Sequence, residues 1–240
     1  MIDVLIMGGT WNPGGDPVTE AFARRLDPEL FRVSYIGYPA SYGGAGMPYA
    51  ESVRIGKWAL ADAIDVSPNP VLLAGYSQGA GIAGDLASEI GAGMWPNLEV
   101  VGAALIADPL RPAGHRIGED PGGYGVAGER FIDSMPVWHA AASRDPITAL
   151  PRGSMLRSLA DFTAYWSMSS PQAMIRWGQS ILDAAAQRRM QRWWSPINWI
   201  ETADVTRQAS AYLFEGRHTD AYIREGHCVR LADAVNEHFG

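Results

Sequence analysis

Short apolar runs alternate along the chain with stretches in which apolar residues recur at helical spacing. Five runs are predicted to be buried strands: 2–7, 31–36, 71–75, 99–107 and 135–142. The helical spacing predicts helices near four segments: 18–26, 51–66, 78–90 and 228–239. Because the strands are continuous apolar runs between helices, we expect a doubly wound parallel sheet covered on both faces. The pattern therefore predicts an α/β fold.

One region breaks this alternation. Residues 151–200 contain no strand pattern, but hold five of the nine tryptophans and six arginines against two aspartates. Met174, Gly178, Ile181 and Ala185 recur there at helical spacing. We interpret 151–200 as a helical insertion within a single domain spanning 1–240. It would pack on the sheet as a cap, shape a lipid-binding mouth facing an anionic envelope, or do both.

Composition narrows the class of protein. The chain has 240 residues, of which 47% are hydrophobic and 19% charged, with a net charge of −7. This balance excludes a disordered chain, and the negative charge argues against a nucleic-acid binder. Cys228 stands alone, so an internal disulfide is excluded. With an acid at position 3 and only a short apolar run, the N-terminus is not typical of a signal peptide, so we expect a soluble cytoplasmic product.

The most informative motif is a G-x-S-x-G at Gly75 to Gly79, placed between a predicted strand and a predicted helix. This is the context of a nucleophile elbow, in which a serine occupies a sharp strand-to-helix turn. Small residues are needed two positions before and after the serine, because strand and helix approach closely there. Ser77 is therefore the candidate nucleophile, rather than part of a Gly-rich turn without chemistry.

A serine nucleophile needs a histidine base and an acid, in the chain order Ser, Asp or Glu, His. Asp145 follows the fifth predicted strand and is favoured by this order, with Asp108 after the fourth strand as the rival. His218, in a predicted loop ahead of the last helix, is favoured as base over His227, at the start of that helix.

The oxyanion hole of such a site needs two backbone N–H groups. One belongs to the residue after the nucleophile, here Gln78. The second is expected from an early loop, where Gly8-Gly9-Thr10 follows the first strand, and Thr10 is the candidate. The alternative for this Gly pair is a plain turn. We find no metal-ligand motif and no phosphate-binding loop, and predict that no cofactor is required.

These residues resemble those of the mycobacteriophage-type lysin B enzymes, which are α/β-hydrolases close to cutinases. The resemblance is carried by the GYSQGA that contains Ser77, the Gly9-Thr10 loop, the Asp108-Pro109 turn, Asp145, and His218 followed by Tyr222. The 151–200 insertion is similar to a lysin B linker region. Tyr222 stands one position later than in the cutinase H-x-x-Y pattern. The missing cutinase disulfides favour the phage enzyme.

The resemblance implies hydrolysis of the ester between mycolic acids and arabinogalactan during phage lysis. It implies Ser77 as nucleophile, His218 as base, Asp145 as orienting acid, and Thr10 with Gln78 as oxyanion hole. We expect a monomer that acts at the mycobacterial outer envelope after release. One alternative is a cutinase-like lipase or a carbohydrate acetyl esterase. Another is an inactive hydrolase fold that binds the envelope.

Overall fold

The computed structural model describes residues 1–42, 47–152, 154 and 216–240. Five strands and five helices lie in these ranges, in the order β1 (Ile2–Met7), α1 (Pro17–Ala23), β2 (Phe31–Tyr35), α2 (Tyr49–Asp65), β3 (Val71–Tyr76), α3 (Gln78–Gly91), β4 (Gly102–Ile106), β5 (Val137–Ala140), α4 (Asp220–Arg224) and α5 (His227–Phe239). The predicted insertion at 151–200 lies, apart from residues 151, 152 and 154, outside the described residues.

The strands form one sheet in the order β2-β1-β3-β4-β5, and every neighbouring pair is parallel. The predicted α/β fold with a parallel sheet is thereby confirmed. The crossovers change direction between β1 and β3, and this is the position at which open α/β sheets bind ligands, beyond the carboxyl ends of the strands. Thr10 and Ser77 follow these two strands.

Both faces of the sheet are buried, because each central strand sends alternate apolar side chains to opposite sides. Val4 and Leu72 pack on the face that contacts α1 and α5, through residues such as Phe22. Leu5 and Leu73 pack on the other face, against α2 and α3. This explains why the strands are continuous apolar runs and confirms the doubly wound arrangement.

The largest differences from the sequence expectation lie in two strands and one helix. β4 and β5 are both shorter than their apolar runs. After Ala140, at the end of β5, the chain leaves the sheet and leads to the turn that carries Asp145. Helix α4 was expected to be loop. Its buried residues are only Ala221 and Tyr222, too few to produce a helical period. Within the described ranges, every helix is too short or too polar to span a bilayer.

Candidate active site

Ser77 occupies a strained turn between β3 and α3, with φ 56° and ψ −117°. The glycines around it are required by close backbone contacts. A β-carbon on Gly75 would lie 2.4 Å from the carbonyl of Gly79, and one on Gly79 would lie 2.3 Å from the carbonyl oxygen of Met7. A larger residue at either position would push α3 away from the sheet. The predicted elbow geometry is therefore present.

Three side chains from distant parts of the chain meet at this turn. The Ser77 Oγ lies 2.8 Å from His218 Nε2. The other ring nitrogen, Nδ1, lies 3.0 and 3.1 Å from the two carboxylate oxygens of Asp145. Asp145 is fully buried and His218 nearly so. A hydroxyl, an imidazole and a carboxylate in this series can activate the hydroxyl as a nucleophile.

The Asp145 carboxylate is held by two further donors. Its Oδ1 accepts the backbone N–H of Ile147 at 3.0 Å, and its Oδ2 accepts the hydroxyl of Tyr222 at 2.6 Å. The same hydroxyl accepts the backbone N–H of Ala142 at 3.2 Å. Burial, followed by the charge of Asp145, raises the pKa of Tyr222 well above its ordinary value. The hydroxyl therefore keeps the proton that it donates to the carboxylate.

His218 is fixed from the side of the elbow by Tyr76. The hydroxyl of Tyr76 donates to the backbone carbonyl of His218, and the two rings stack with centroids 5.2 Å apart. The neighbouring Arg217 donates to the carbonyl of Ser143 at 2.7 Å and pairs with Glu225. The Tyr76 contacts tie the segment that carries the imidazole to the elbow, and the bond from Arg217 to Ser143 ties it to the turn that carries Asp145.

The backbone amides on either side of Thr10 are both occupied. The N–H of Gly9 donates to Asp16 Oδ2 at 2.9 Å, and the N–H of Trp11 donates to the carbonyl of Ala40 at 2.7 Å. The other oxygen of Asp16 caps α1 by accepting two amides of its first turn. The N–H of Thr10 has no partner among the described residues, which leaves it available to a ligand.

Gln78 contributes both its backbone and its side chain. It is the first residue of α3, where a backbone N–H has no partner within the helix. The buried side chain accepts the hydroxyl of Thr10 at 3.2 Å and donates to Ser52 Oγ at 3.1 Å and to the carbonyl of Ser41 at 3.3 Å. These bonds hold the Thr10 loop beside the elbow. Sequence reasoning did not identify Ser41 or Ser52, which carry no motif.

The two rival residues lie elsewhere. Asp108 is buried in an ion pair with Arg130, at 2.7 Å, with His139 Nδ1 at 3.5 Å. His227 contacts Glu225 at 3.3 Å and Arg230 at 3.2 Å. Neither rival makes a hydrogen bond to Ser77 or His218 in the part of the chain that the structure describes. That part also holds no group of three or more His, Cys, Asp or Glu residues able to bind a metal ion.

The parallel sheet and the elbow define an α/β-hydrolase fold. Among solved structures, the chain is similar to lysin B from Mycobacteriophage D29, at 18% identity and a TM-score of 0.50, covering 77% of this chain and 86% of that one. It is also similar to a cutinase-like protein from Cryptococcus sp., at 14% identity and a TM-score of 0.47, covering 80% and 96%. At these identities the likeness concerns the fold alone.

A curated relative is the carboxylesterase Culp6 homolog of Corynebacterium glutamicum. It is 29% identical over an alignment of 162 positions, and the alignment covers 56% of this chain and 52% of the relative. The chain thus spans about half the length of this relative. No protein-family model matches the chain.

Proposed function

We propose that this chain is a serine ester hydrolase. The observation that carries the proposal is the series from Ser77 Oγ through His218, 2.8 Å away, to the buried Asp145, built at a strained turn. A serine held in such a turn without chemistry would need neither an imidazole at hydrogen-bond distance nor an acid behind it. The curated relative's name, a carboxylesterase homolog, agrees with this class of reaction.

In the proposed reaction, His218 Nε2 accepts the Ser77 proton while Ser77 Oγ attacks the ester carbonyl carbon. Asp145 accepts the Nδ1–H bond and stabilises the imidazolium that forms. The negative oxygen of the tetrahedral intermediate would be bound by the amides of Thr10 and Gln78. His218 then donates its proton to the leaving alcohol, which gives an acyl-enzyme. Water, deprotonated by His218, releases the acid and restores Ser77.

The substrate that we propose is an ester with a long acyl chain, specifically the mycolyl ester of arabinogalactan in a mycobacterial envelope. The resemblance of the GYSQGA elbow, at Gly75 to Ala80, to lysin B supports this choice. So does Trp11, which is 65% exposed in the Thr10 loop, where an apolar acyl chain would cover it. The proposed site of action is the envelope, after release from the host cell.

A fluorescent serine-directed phosphonate tests the reaction class. We expect wild-type protein to be labelled once, and Ser77→Ala not to be labelled. Ser34→Ala, on the exposed face of the edge strand β2, is the matched control and should label like wild type. An unlabelled wild type would reject the hydrolase and leave a fold that only binds the envelope.

Two substrates then test the acyl group. On p-nitrophenyl esters of increasing chain length, a long-chain esterase should retain activity beyond short chains, whereas a carbohydrate acetyl esterase should lose it. Purified mycolyl-arabinogalactan should release free mycolic acid with wild type and not with Ser77→Ala. Labelling without mycolic acid release would keep the esterase and reject the mycolyl substrate.

A further inference from the structure

We propose that Tyr222 is a positioning residue that fixes the Asp145 carboxylate, and through it the imidazole of His218, in the reactive orientation. This inference rests on the proposed serine hydrolase function and adds a residue to it. Tyr222 would act through Asp145 and would not contact the ester.

Two donors share one oxygen of the Asp145 carboxylate. Asp145 Oδ2 receives both the Tyr222 hydroxyl, at 2.6 Å, and His218 Nδ1, at 3.0 Å. Oδ1 accepts the N–H of Ile147 and also lies 3.1 Å from His218 Nδ1. With donors on both oxygens, rotation of the carboxylate about its Cβ–Cγ bond would break at least one bond to a buried, charged acceptor.

Tyr222 also connects two segments that are far apart in the chain. It lies on α4, four residues after His218, and its hydroxyl accepts the N–H of Ala142, two residues beyond the end of β5. The same side chain thus joins the segment carrying the base to the turn carrying the acid.

Removing the Tyr222 hydroxyl is expected to change the pH dependence of activity, because it changes how the Asp145 charge acts on His218. A hydroxyl that donates to Asp145 disperses part of the carboxylate's negative charge. Without it, the carboxylate would stabilise the protonated imidazole of His218 more strongly. The base would then stay protonated, and inactive, to a higher pH. Other titratable groups around this pair are Tyr76 on β3, the guanidinium groups of Arg217 and the buried Arg111, and His227 on α5, whose ring centroid lies 5.5 Å from that of Tyr222.

The test is Tyr222→Phe, which keeps the ring and removes the hydroxyl. On a soluble p-nitrophenyl ester, we expect kcat to fall about 10-fold with KM changed less than about twofold, because an interaction behind the reacting atoms is lost. We expect the acidic limb of the kcat/KM profile to move up by about half a pH unit. The proton resonance of His218 Nδ1–H should also shift, which reports on the pair independently of turnover.

Tyr38→Phe is the matched control. Tyr38 is also buried, and its hydroxyl donates to the carbonyl of Gly8 at 2.7 Å, away from Asp145. Its loss costs a comparable buried hydrogen bond, but should leave the acidic limb and the His218 resonance in place. The proposal is overturned if Tyr222→Phe keeps kcat within twofold with an unmoved limb, or if both variants move the limb equally. Failure of the wild type to label with phosphonate would instead reject the proposed function.

Discussion

The turns after β4 and β5 are built alike, yet they serve different ends. In both, a non-glycine residue with positive φ precedes a fully buried aspartate: Ala107, at 53°, before Asp108, and Arg144, at 63°, before Asp145. A proline follows each aspartate. Each aspartate also accepts, through its Oδ1, the N–H of the residue two positions on at 3.0 Å. Local structure does not distinguish these two turns.

The distant partner does distinguish them. Asp108 is neutralised by the guanidinium of Arg130, which stays charged and holds its protons at any physiological pH. Burial raises the pKa of Asp108, although the Arg130 charge opposes this shift. Asp145 faces an imidazole, which can gain and lose a proton during a reaction. The comparison teaches that the partner of a buried carboxylate, rather than its own turn, distinguishes a carboxylate held in an ion pair from one placed to orient an imidazole.

The largest expected effect comes from Asp145→Asn. The amide cannot stabilise the imidazolium of His218 and favours the wrong tautomer, so we expect kcat on a p-nitrophenyl ester to fall about 10⁴-fold. Steady-state kinetics measures the loss, and thermal unfolding checks that the variant is folded. A folded variant with less than a tenfold loss would contradict the role proposed for Asp145.

Asp108→Asn should show the opposite profile. It leaves the buried Arg130 with only Asp85, which is partly exposed, as its acidic partner in the described chain. We expect the free energy of unfolding to fall by about 3 kcal/mol, measured by urea denaturation, with kcat of the folded protein within about threefold of wild type. A hundredfold loss of kcat in a stably folded variant would instead place the acid at Asp108.

A third test uses the imidazole beside Asp108. Burial, followed by the charges of Arg130 and Arg111, lowers the pKa of His139 to about 3. Between pH 6.5 and 3, His139 is protonated in the unfolded chain but stays neutral in the folded protein. Acid therefore lowers the free energy of unfolding over this range. At pH 5 this costs about 2 kcal/mol. We expect the free energy of unfolding to fall between pH 7 and pH 5 by about 2 kcal/mol less in His139→Gln than in wild type, as measured by denaturation at both pH values. An equal fall in both proteins would contradict the assignment of this effect to His139.

The smallest effect is expected from His227→Gln. Its ring nitrogens contact Glu225 and Arg230. We expect kcat to stay within about twofold of wild type, because within the described chain His227 makes no hydrogen bond to Ser77, His218 or Asp145. His218→Gln, assayed in parallel, should lose activity on the scale of Asp145→Asn. Equal losses of kcat in both histidine variants would contradict the assignment of His218, rather than His227, as the base.

The sequence predicted the sheet and the elbow well, because both follow from local signals. Continuous apolar runs locate the strands, and the glycines flanking Ser77 mark the close approach of β3 and α3. The contact between Asp145 and His218 joins residues 73 positions apart, and the Asp-Pro turns are alike. From the sequence alone, the expected chain order of the three residues was the one argument that favoured Asp145 over Asp108.

The supporting tyrosines illustrate what local patterns leave out. Tyr222 lies on a helix too short to show a period, and Tyr76 lies in a strand where an aromatic residue is expected to be core. Their hydroxyl bonds to Asp145 and His218 depend on how separate elements pack. A tyrosine four residues after the predicted base was the one available signal, and it carried no information about its partner.

The carboxylate of Asp16, which holds the Gly9 amide with one oxygen and the start of α1 with the other, closes the segment between them into an anchored arc. Within that arc, Gly14 has open space around it and Trp11 faces solvent. Directed evolution could therefore vary the residues at the tip of the arc to change acyl preference, while the hydrogen bonds of Asp16 keep the Thr10 amide in place. Selectivity and bond cleavage would become separately adjustable properties of the same loop.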